Sequence, residues 1–278
     1  MESTTGHRGR SRGLAFVRRP VTRIWQEKAA ADNPYLATAC RCHGYDLFEL
    51  ARKRGWVEVL FLLFRGELPR PEQAQLLERL MVACIHPGPR HPATWAVMNA
   101  AVSRTDPVHL LPIGLEVLGG SQLGAAEVGA AMRFQVAHGQ EEPAKVAREF
   151  LGKEPRPAEG DWHPVPGFGS RFGGVDPLAR QLAAELGTLP AAGAGLRWGA
   201  GLAATLEEEG LGWLPTGVVA ASLGDLGFSW RAGVGLYQIF SAPGILASGL
   251  EMASQPVTAM PFLDDEGYCL AAAARKPV

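Results

Sequence analysis

Apolar residues recur at helical spacing along most of the chain. Val57, Leu60, Phe61 and Phe64, for example, fall on one face of a helix. Strand signals are nearly absent, because no segment sustains an alternation of apolar and polar residues and β-branched residues are sparse. The pattern predicts an essentially all-α protein without internal repeats.

Proline, aspartate and glycine mark the ends of several predicted helices. Asp46 is placed to cap a short first helix, a second helix stops before Gly66, and Pro71 begins a third. Residues 152–165 are rich in proline, glycine and charge, so we expect an irregular segment there. The remaining helices are predicted over residues 92–103, 107–118, 123–138, 143–151, 176–186, 198–208, 215–226 and 230–252.

Composition narrows the class of protein. The 278 residues, of which 47% are hydrophobic and 20% charged, suffice for one large or two modest domains. With 27 basic and 28 acidic residues, no overall field favours nucleic acid or a membrane surface. No apolar run reaches the roughly 18–20 residues that span a bilayer. We therefore expect neither nucleic acid nor membrane as a partner.

The first 23 residues form a basic segment without an acid after Glu2. The segment lacks the apolar stretch of a secretory signal, so we expect a solvated, flexible arm, with a targeting peptide as the alternative. Its arginines are Arg8, Arg10, Arg12, Arg18, Arg19 and Arg23.

The four cysteines are scattered, as is usual in a reducing compartment, and we expect a cytoplasmic protein. Cys40-Arg41-Cys42-His43 is superficially similar to a metal site. Its spacing is too tight for the usual zinc pattern, and no second ligand pair follows. We therefore predict no metal site.

The most informative stretch is Val165–Phe172, followed by Asp176 and Pro177. Gly167 and Gly169 flank an aromatic residue and allow the backbone to pass close to a ligand, because neither carries a Cβ. Asp176 and Pro177 are typical of a helix start. The spacing predicts a loop that presents residues to a ligand at a helix N-terminus.

Several motifs together resemble the citrate synthase superfamily, nearest in length to its citryl-CoA lyase-like members. The similar segments are 44–47, 58–69, 115–120, 165–176, 210–252 and 255–257, which include Gly-Tyr-Asp-Leu, Gly-Glu-Leu-Pro and Pro-Gly-Phe-Gly. The resemblance implies an all-α, two-domain fold that closes around a cleft, with CoA or an acyl-CoA as ligand. It also implies a homodimer, or a heteromer with an active paralogue.

The resemblance further implies a domain division and a set of ligand-binding residues. The large domain would comprise residues 24–125 and 210–278, and the small domain residues 126–209. The ligand-binding residues implied by the glycine-rich loop are Pro166, Gly167, Phe168, Gly169 and Arg171.

The family's chemistry is a Claisen-type condensation or its reverse, which uses two histidines and an aspartate. Carried over from the resemblance, the two histidine positions fall on Leu123 and Ser170, the aspartate position falls near Arg197, and a carboxylate-binding arginine falls on Gln255. Leucine cannot exchange a proton, and arginine cannot act as a base. These replacements argue against ordinary citrate synthesis.

Other residues are candidates for a rebuilt catalytic site. His86, His91, Ser170 and Glu127 carry the required acid, base or nucleophile types. Each also has a structural alternative. The histidines would cap the turn between Pro87 and Pro92, Ser170 would cap backbone groups, and Glu127 would face solvent or pair with Arg133. Arg197 would contact an anionic ligand or pair with Glu207 or Glu208.

Two functions follow. The first is a degenerate member of the superfamily that binds an acyl-CoA, as a sensor or as the partner subunit of an active paralogue. The alternative is an active acyltransferase or citryl-CoA lyase-like enzyme with a rebuilt site. A helical scaffold without a small ligand is a third, more distant hypothesis.

Overall fold

The computed structural model describes residues 22–153 and 155–261. Contacts divide the chain into two compact units, Met1–Glu67 and Leu68–Val278. The predicted basic arm lies outside the described residues except for its last two positions, and Cys269 also lies outside them. The predicted division at residues 125 and 210 remains a prediction.

The first unit combines a small antiparallel sheet with two helices. Its strands are β1 (Trp25–Ala29), β2 (Ala37–Cys42) and β3 (Tyr45–Asp46), paired in the order β1-β2-β3. This sheet is a correction to the sequence prediction. All five residues of β1 are exposed, so no alternation of apolar and polar positions marks the strand.

Local sequence explains the two helices of this unit. Asp46 caps α1 (Leu47–Lys53), because its carboxylate accepts from the Phe48 and Glu49 amides. Helix α2 (Trp56–Arg65) ends at Gly66, whose φ of 78° is the left-handed conformation that glycine adopts without strain. Both boundaries confirm the sequence prediction.

The second unit is almost entirely helical. Its helices are α3 (Pro71–Ala83), α4 (Pro92–Val102), α5 (Pro107–Leu118), α6 (Ala125–His138), α7 (Pro143–Leu151), α8 (Pro177–Gly187), α9 (Ala194–Leu206), α10 (Pro215–Asp225) and α11 (Trp230–Met252). Short 3-10 turns occur at Glu207–Glu209 and Val257–Ala259. Two-residue strands, β4 (Phe168–Gly169) and β5 (Gly212–Trp213), pair with each other. The predicted all-α class is therefore confirmed.

The 23-residue helix α11 lies at the centre of this unit and packs against α4, α5 and α6. Its buried residues follow one another at helical spacing, and Leu236, Phe240 and Ile245 are almost fully buried. The Gly244 amide donates to the Ile85 carbonyl at 3.0 Å, which ties α11 to the turn between α3 and α4.

Helix α10 forms the other half of the core, against α6 and α9. Every residue from Thr216 to Leu223 is buried, so this helix has no solvent face over that stretch. None of the helices in residues 22–153 and 155–261 has the length and apolar character that crossing a bilayer requires.

Candidate ligand cavity

A cavity of about 600 Å³ opens in the second unit, where the α3–α4 turn, the loop before α8 and helix α11 meet. This volume lies within the usual range for small-molecule sites, roughly 300–1,000 Å³. The residues that define its chemistry come from distant parts of the chain: His86, Arg90, His91, Leu123, Arg171 and Tyr237.

His86 is held by the turn on one side and by α11 on the other. Its Nδ1 accepts from the Gly88 amide at 2.7 Å, and its Nε2 lies 2.8 Å from the Ser248 hydroxyl oxygen. An amide can only donate, so Nδ1 carries no proton and Nε2 carries it. Both ring nitrogens of His86 are therefore occupied within the protein.

His91 caps α4 from the same turn. Its Nδ1 accepts from the Ala93 amide at 3.1 Å, and its Nε2 donates to the Leu123 carbonyl at 3.2 Å. Burial lowers the pKa of His91, the positive charge of Arg171 lowers it further, and the bond to Leu123 opposes both. His91 is thus a neutral imidazole whose two nitrogens are both engaged.

Leu123 stands at the position where the resemblance places a catalytic histidine. Its φ is 55°, in the left-handed region that a bulky residue seldom occupies. The Leu123 amide donates to Glu127 Oε2 at 2.7 Å, and its carbonyl accepts from His91 and from the Tyr237 hydroxyl, at 3.3 Å for the latter. The residue therefore contributes a backbone carbonyl to the cavity region.

Glu127 is 4% exposed and does not pair with Arg133. Its Oε1 lies 3.2 Å from His163 Nδ1, and His163 Nε2 lies 3.1 Å from the Ser170 carbonyl oxygen. Burial acts against the charged form of His163, but the hydrogen bond and charge of Glu127, the Ser170 carbonyl and Asp161 outweigh it. The pKa of His163 is therefore raised.

Sequence reasoning missed His163. The residue belongs to the segment 152–165, which has no periodicity, and its partner Glu127 is distant in the sequence. Its position shortly before the glycine-rich loop was a weak signal at best. His163 and Glu127 form a pair because the folded chain brings the segment 152–165 close to α6.

Ser170 participates in bonding within its own loop. It is 2% exposed, its amide donates to the Trp162 carbonyl at 2.9 Å, and its hydroxyl accepts from the Trp162 amide at 2.9 Å. Ser170 does not line the cavity. The geometry supports the backbone-capping alternative and not the nucleophile.

The glycine-rich loop packs against other segments of the protein, at Trp213 and at Gly217 of α10. Phe168 is fully buried, with its ring centroid 4.5 Å from that of Trp213. Gly167 and Gly217 of α10 approach so closely that a Cβ on Gly217 would overlap the Gly167 carbonyl oxygen. Pro166 and the residues from 167 to 170 do not line the cavity. This part of the loop therefore contributes packing within the fold and no contact surface for a ligand.

Arg171, the next residue, does line the cavity. Its Nη1 donates to Asp176 Oδ2 at 2.7 Å, while Asp176 Oδ1 caps α8 by accepting from the Leu178 and Ala179 amides. The buried Nε of Arg171 has no hydrogen-bond partner among the described residues. This nitrogen is a buried, unpaired donor beside an already neutralised charge.

The cavity also has a second cation and an apolar wall. Arg90 is exposed and forms no ion pair within the described residues. Phe172 and Leu178 line the cavity and are each 75% exposed. An anionic group attached to an apolar portion matches this combination.

Two predicted positions lie elsewhere. Arg197 is exposed on α9 and donates to the Ala192 carbonyl at 3.1 Å, while Glu207 pairs with Arg180 at 2.6 Å. Gln255 is exposed after the end of α11. Neither Arg197 nor Gln255 lines the cavity, so the structure does not bring them together with the histidines.

No group of histidine, cysteine, aspartate and glutamate side chains in the described part of the chain is arranged to hold a metal ion. Cys40, Cys42 and Cys84 carry free thiols. Cys84 lines the cavity, and burial raises its pKa to about 12, so the thiol stays protonated at neutral pH.

Comparison with known proteins finds similarity in structure. No protein-family model and no curated protein sequence matches the chain. The citryl-CoA lyase of Hydrogenobacter thermophilus superposes with a TM-score of 0.73 at 22% identity, over 94% of this chain and 98% of the lyase. The ATP citrate lyase of Methanothrix soehngenii, in complex with citrate and coenzyme A, gives 0.67 at 17% identity, over 92% of this chain and 44% of its own.

The citrate synthase of Thermoplasma acidophilum, in a ternary complex with carboxymethyl coenzyme A and oxaloacetate, gives 0.57 at 17% identity. It is matched over 81% of this chain and 59% of its own. The chain thus has the citrate synthase-like fold that its motifs predicted. At these identities the likeness establishes the fold and leaves the chemistry to the residues of the site.

Proposed function

We propose that this chain binds an acyl-CoA, or a similar thioester, in the cavity without standard citrate synthase turnover. One observation carries the proposal: the histidines and the aspartate that line the cavity are already engaged within the protein. His86 and His91 each have both ring nitrogens occupied, and Asp176 is bound to Arg171 and to the start of α8. General acid–base catalysis requires a group that is free to transfer a proton to the ligand.

The remaining ionisable groups support the same proposal. Burial raises the pKa of Tyr237 well above its usual range, as it does for Cys84, so both remain neutral at physiological pH. The cavity therefore presents cations and apolar surface, and Asp176, the one carboxylate among its lining residues, is engaged by Arg171 and by the start of α8. Such a site recognises a ligand, as a sensor or as the partner subunit of an active paralogue would.

The nature of the ligand is inferred from the fold and from charge. Structural neighbours contain coenzyme A or a derivative of it. Arg90 and Arg171 suit a carboxylate or phosphate, and Phe172 and Leu178 suit an acyl portion. A homodimer, or a heteromer with an active paralogue, completes the proposal and is tested by light scattering with and without ligand.

Calorimetric titration with CoA, acetyl-CoA and a longer acyl-CoA tests ligand binding directly. Arg90→Glu should weaken binding of the anionic ligand by about tenfold or more. Arg79→Glu is the matched control, because Arg79 is exposed on α3 and does not line the cavity. Absence of binding at millimolar ligand, or equal losses in the two variants, would contradict the assignment.

The alternative is a citryl-CoA lyase-like enzyme. The mutual coverage of 94% and 98% with the Hydrogenobacter thermophilus lyase favours it, because nearly the whole of each chain is matched. CoA release from citryl-CoA, or from acetyl-CoA with oxaloacetate, would establish turnover. If turnover occurs, loss of activity in both His86→Ala and His91→Ala would assign these residues, and unchanged activity would exclude them.

A further inference from the structure

His163 lies between two acceptors in a nearly closed environment. Its side chain is 13% exposed, with Nδ1 3.2 Å from Glu127 Oε1 and Nε2 3.1 Å from the Ser170 carbonyl oxygen. A carboxylate and a carbonyl can only accept, so His163 donates to both only when each ring nitrogen carries a proton. In that form the imidazole is positively charged.

Glu127 connects His163 to Leu123, a residue that lines the cavity. Its other oxygen, Oε2, accepts from the Leu123 amide at 2.7 Å. Leu123 has a φ of 55°, and a bulky residue persists in that conformation only when its surroundings hold it. With the amide held, the Leu123 carbonyl faces His91 Nε2 and the Tyr237 hydroxyl, and all three residues line the cavity.

We propose that His163 is a positioning residue for the cavity. Its charged form holds Glu127 in its hydrogen bond with the Leu123 amide. That bond in turn holds the Leu123 carbonyl where it accepts from His91 and Tyr237. Binding in the cavity therefore depends on a proton held at His163, outside the cavity itself. The ligand part of this inference rests on the proposed acyl-CoA binding.

The surroundings of His163 favour the charged form. The charged groups that act on it are Glu127 from α6 and Asp161 from its own segment, and both are negative. Gly169 packs closely against the ring, since a Cβ there would lie 2.7 Å from His163 Cδ2. On losing a proton, His163 must release either Glu127 or Ser170, because it then has one donor.

The first experiment needs no ligand. In the full chain, the imidazole resonances of His163 are followed against pH by NMR and assigned by their absence in His163→Gln. We expect a midpoint above 6.5, the ordinary histidine value, and a shift of the Leu123 amide with the same midpoint. A His163 midpoint at or below 6.5, or a Leu123 amide that ignores this titration, overturns the proposal.

Two variants keep the experiment decisive if His163→Gln folds poorly. Glu127→Gln removes the negative charge and keeps the shape, so the His163 midpoint should fall. His138→Gln is the matched control, because His138 lies on the same helix as Glu127 and contacts Glu141 at 2.7 Å near the surface. It should leave the Leu123 titration unchanged, and a change equal to that of Glu127→Gln would overturn the proposal.

The second experiment measures acetyl-CoA affinity at about pH 6 and about pH 9. The wild type and His138→Gln should lose about tenfold or more across this range, beyond any change that phosphate ionisation of the probe causes in His163→Gln. An equal pH dependence in all three proteins overturns the coupling. Absence of binding in the wild type at both pH values contradicts the proposed acyl-CoA function, whereas the ligand-free titration still decides the role of His163.

Discussion

Asp176 binds the Arg171 guanidinium with one carboxylate oxygen, at 2.7 Å, and the N-terminus of α8 with the other. A single buried side chain thus joins the cap of a helix to the position of a cationic side chain in the cavity. The helix start was recognisable from the sequence, because Asp-Pro is typical of it. The second bond of the carboxylate was not.

Replacing Asp176 separates these two contributions. Asp176→Ala loses the cap and leaves Arg171 without its counter-charge, so we expect the free energy of unfolding to fall by at least about 2 kcal/mol. Asp176→Asn retains a good capping residue and should lose about 1 kcal/mol, from the ion pair alone. Denaturant unfolding of both variants provides the measurement, and equal losses would mean that the cap contributes nothing.

Phe172 combines an unfavourable backbone with an exposed side chain in the cavity wall. Its φ is 50°, its side chain is 75% exposed, and the Arg171 guanidinium lies 5.7 Å from its ring centroid. Asparagine tolerates this conformation better, by about 1 kcal/mol, while the lost cation–π contact costs about 0.5 kcal/mol.

We therefore expect Phe172→Asn to unfold at slightly higher denaturant concentration than the wild type and to bind a long acyl-CoA several-fold more weakly. Denaturant unfolding and calorimetric titration measure the two effects separately. A stabilised variant with unchanged affinity would remove Phe172 from the ligand site, and a clear loss of stability would show that its ring packs in the fold.

The close approach of α10 to the glycine-rich loop predicts a strong steric effect. A methyl group on Gly217 would overlap the Gly167 carbonyl oxygen, and a backbone atom cannot move aside as a flexible side chain can. We expect Gly217→Ala to reduce the free energy of unfolding by about 3 kcal/mol.

Gly235→Ala is the matched control for this substitution. Gly235 lies within α11 with no atom near the position of a new Cβ, so alanine should stabilise the helix by about 0.5–1 kcal/mol. Opposite signs in the two unfolding curves are the expected result. If both variants are stabilised, the loop and α10 are not in the close contact described.

His91 and His163 predict opposite dependences of stability on pH. The pKa of His91 is lowered, chiefly by burial, so the unfolded chain binds more protons as pH falls below about 6.5 and stability is lost there. Burial also opposes the charge on His163, but Glu127 prevails and raises its pKa. That contribution is present below about 6.5 and is lost as pH rises through the folded-state pKa.

Together the two histidines should give a maximum of stability near pH 6.5, measured as the midpoint of thermal unfolding against pH. His91→Asn retains a capping residue and should flatten the acidic side of the profile. His163→Gln should lower stability at pH values below that of the maximum, and it should flatten the alkaline side of the profile. Flattening of the same side by both variants would contradict the assigned protonation states, and His138→Gln controls for loss of another partly buried histidine that contacts a glutamate.

Some helix boundaries could not be predicted from the local sequence. Helix α9 was predicted from residue 198 but begins at Ala194, because Asp225, from the end of α10, accepts from the Gly193, Gly195 and Leu196 amides at its start. A cap supplied from another helix leaves no local signal. Likewise α6 begins after Leu123, whose left-handed backbone breaks the helical pattern that its side chain suggests.

The sequence by itself determined the helical class, most helix starts and ends, and the citrate synthase-like fold, because spacing, caps and motifs are properties of neighbouring residues. Tertiary structure alone decided which side chains meet. It gave both ring nitrogens of His86 and His91 hydrogen-bond partners within the protein and paired His163 with Glu127. It also placed the Ser170 hydroxyl in a bond to the Trp162 amide, away from the cavity. Protonation and tautomer depend on partners that are distant in the chain, and only the packing of α6, α11 and the irregular segment brings those partners within hydrogen-bond distance.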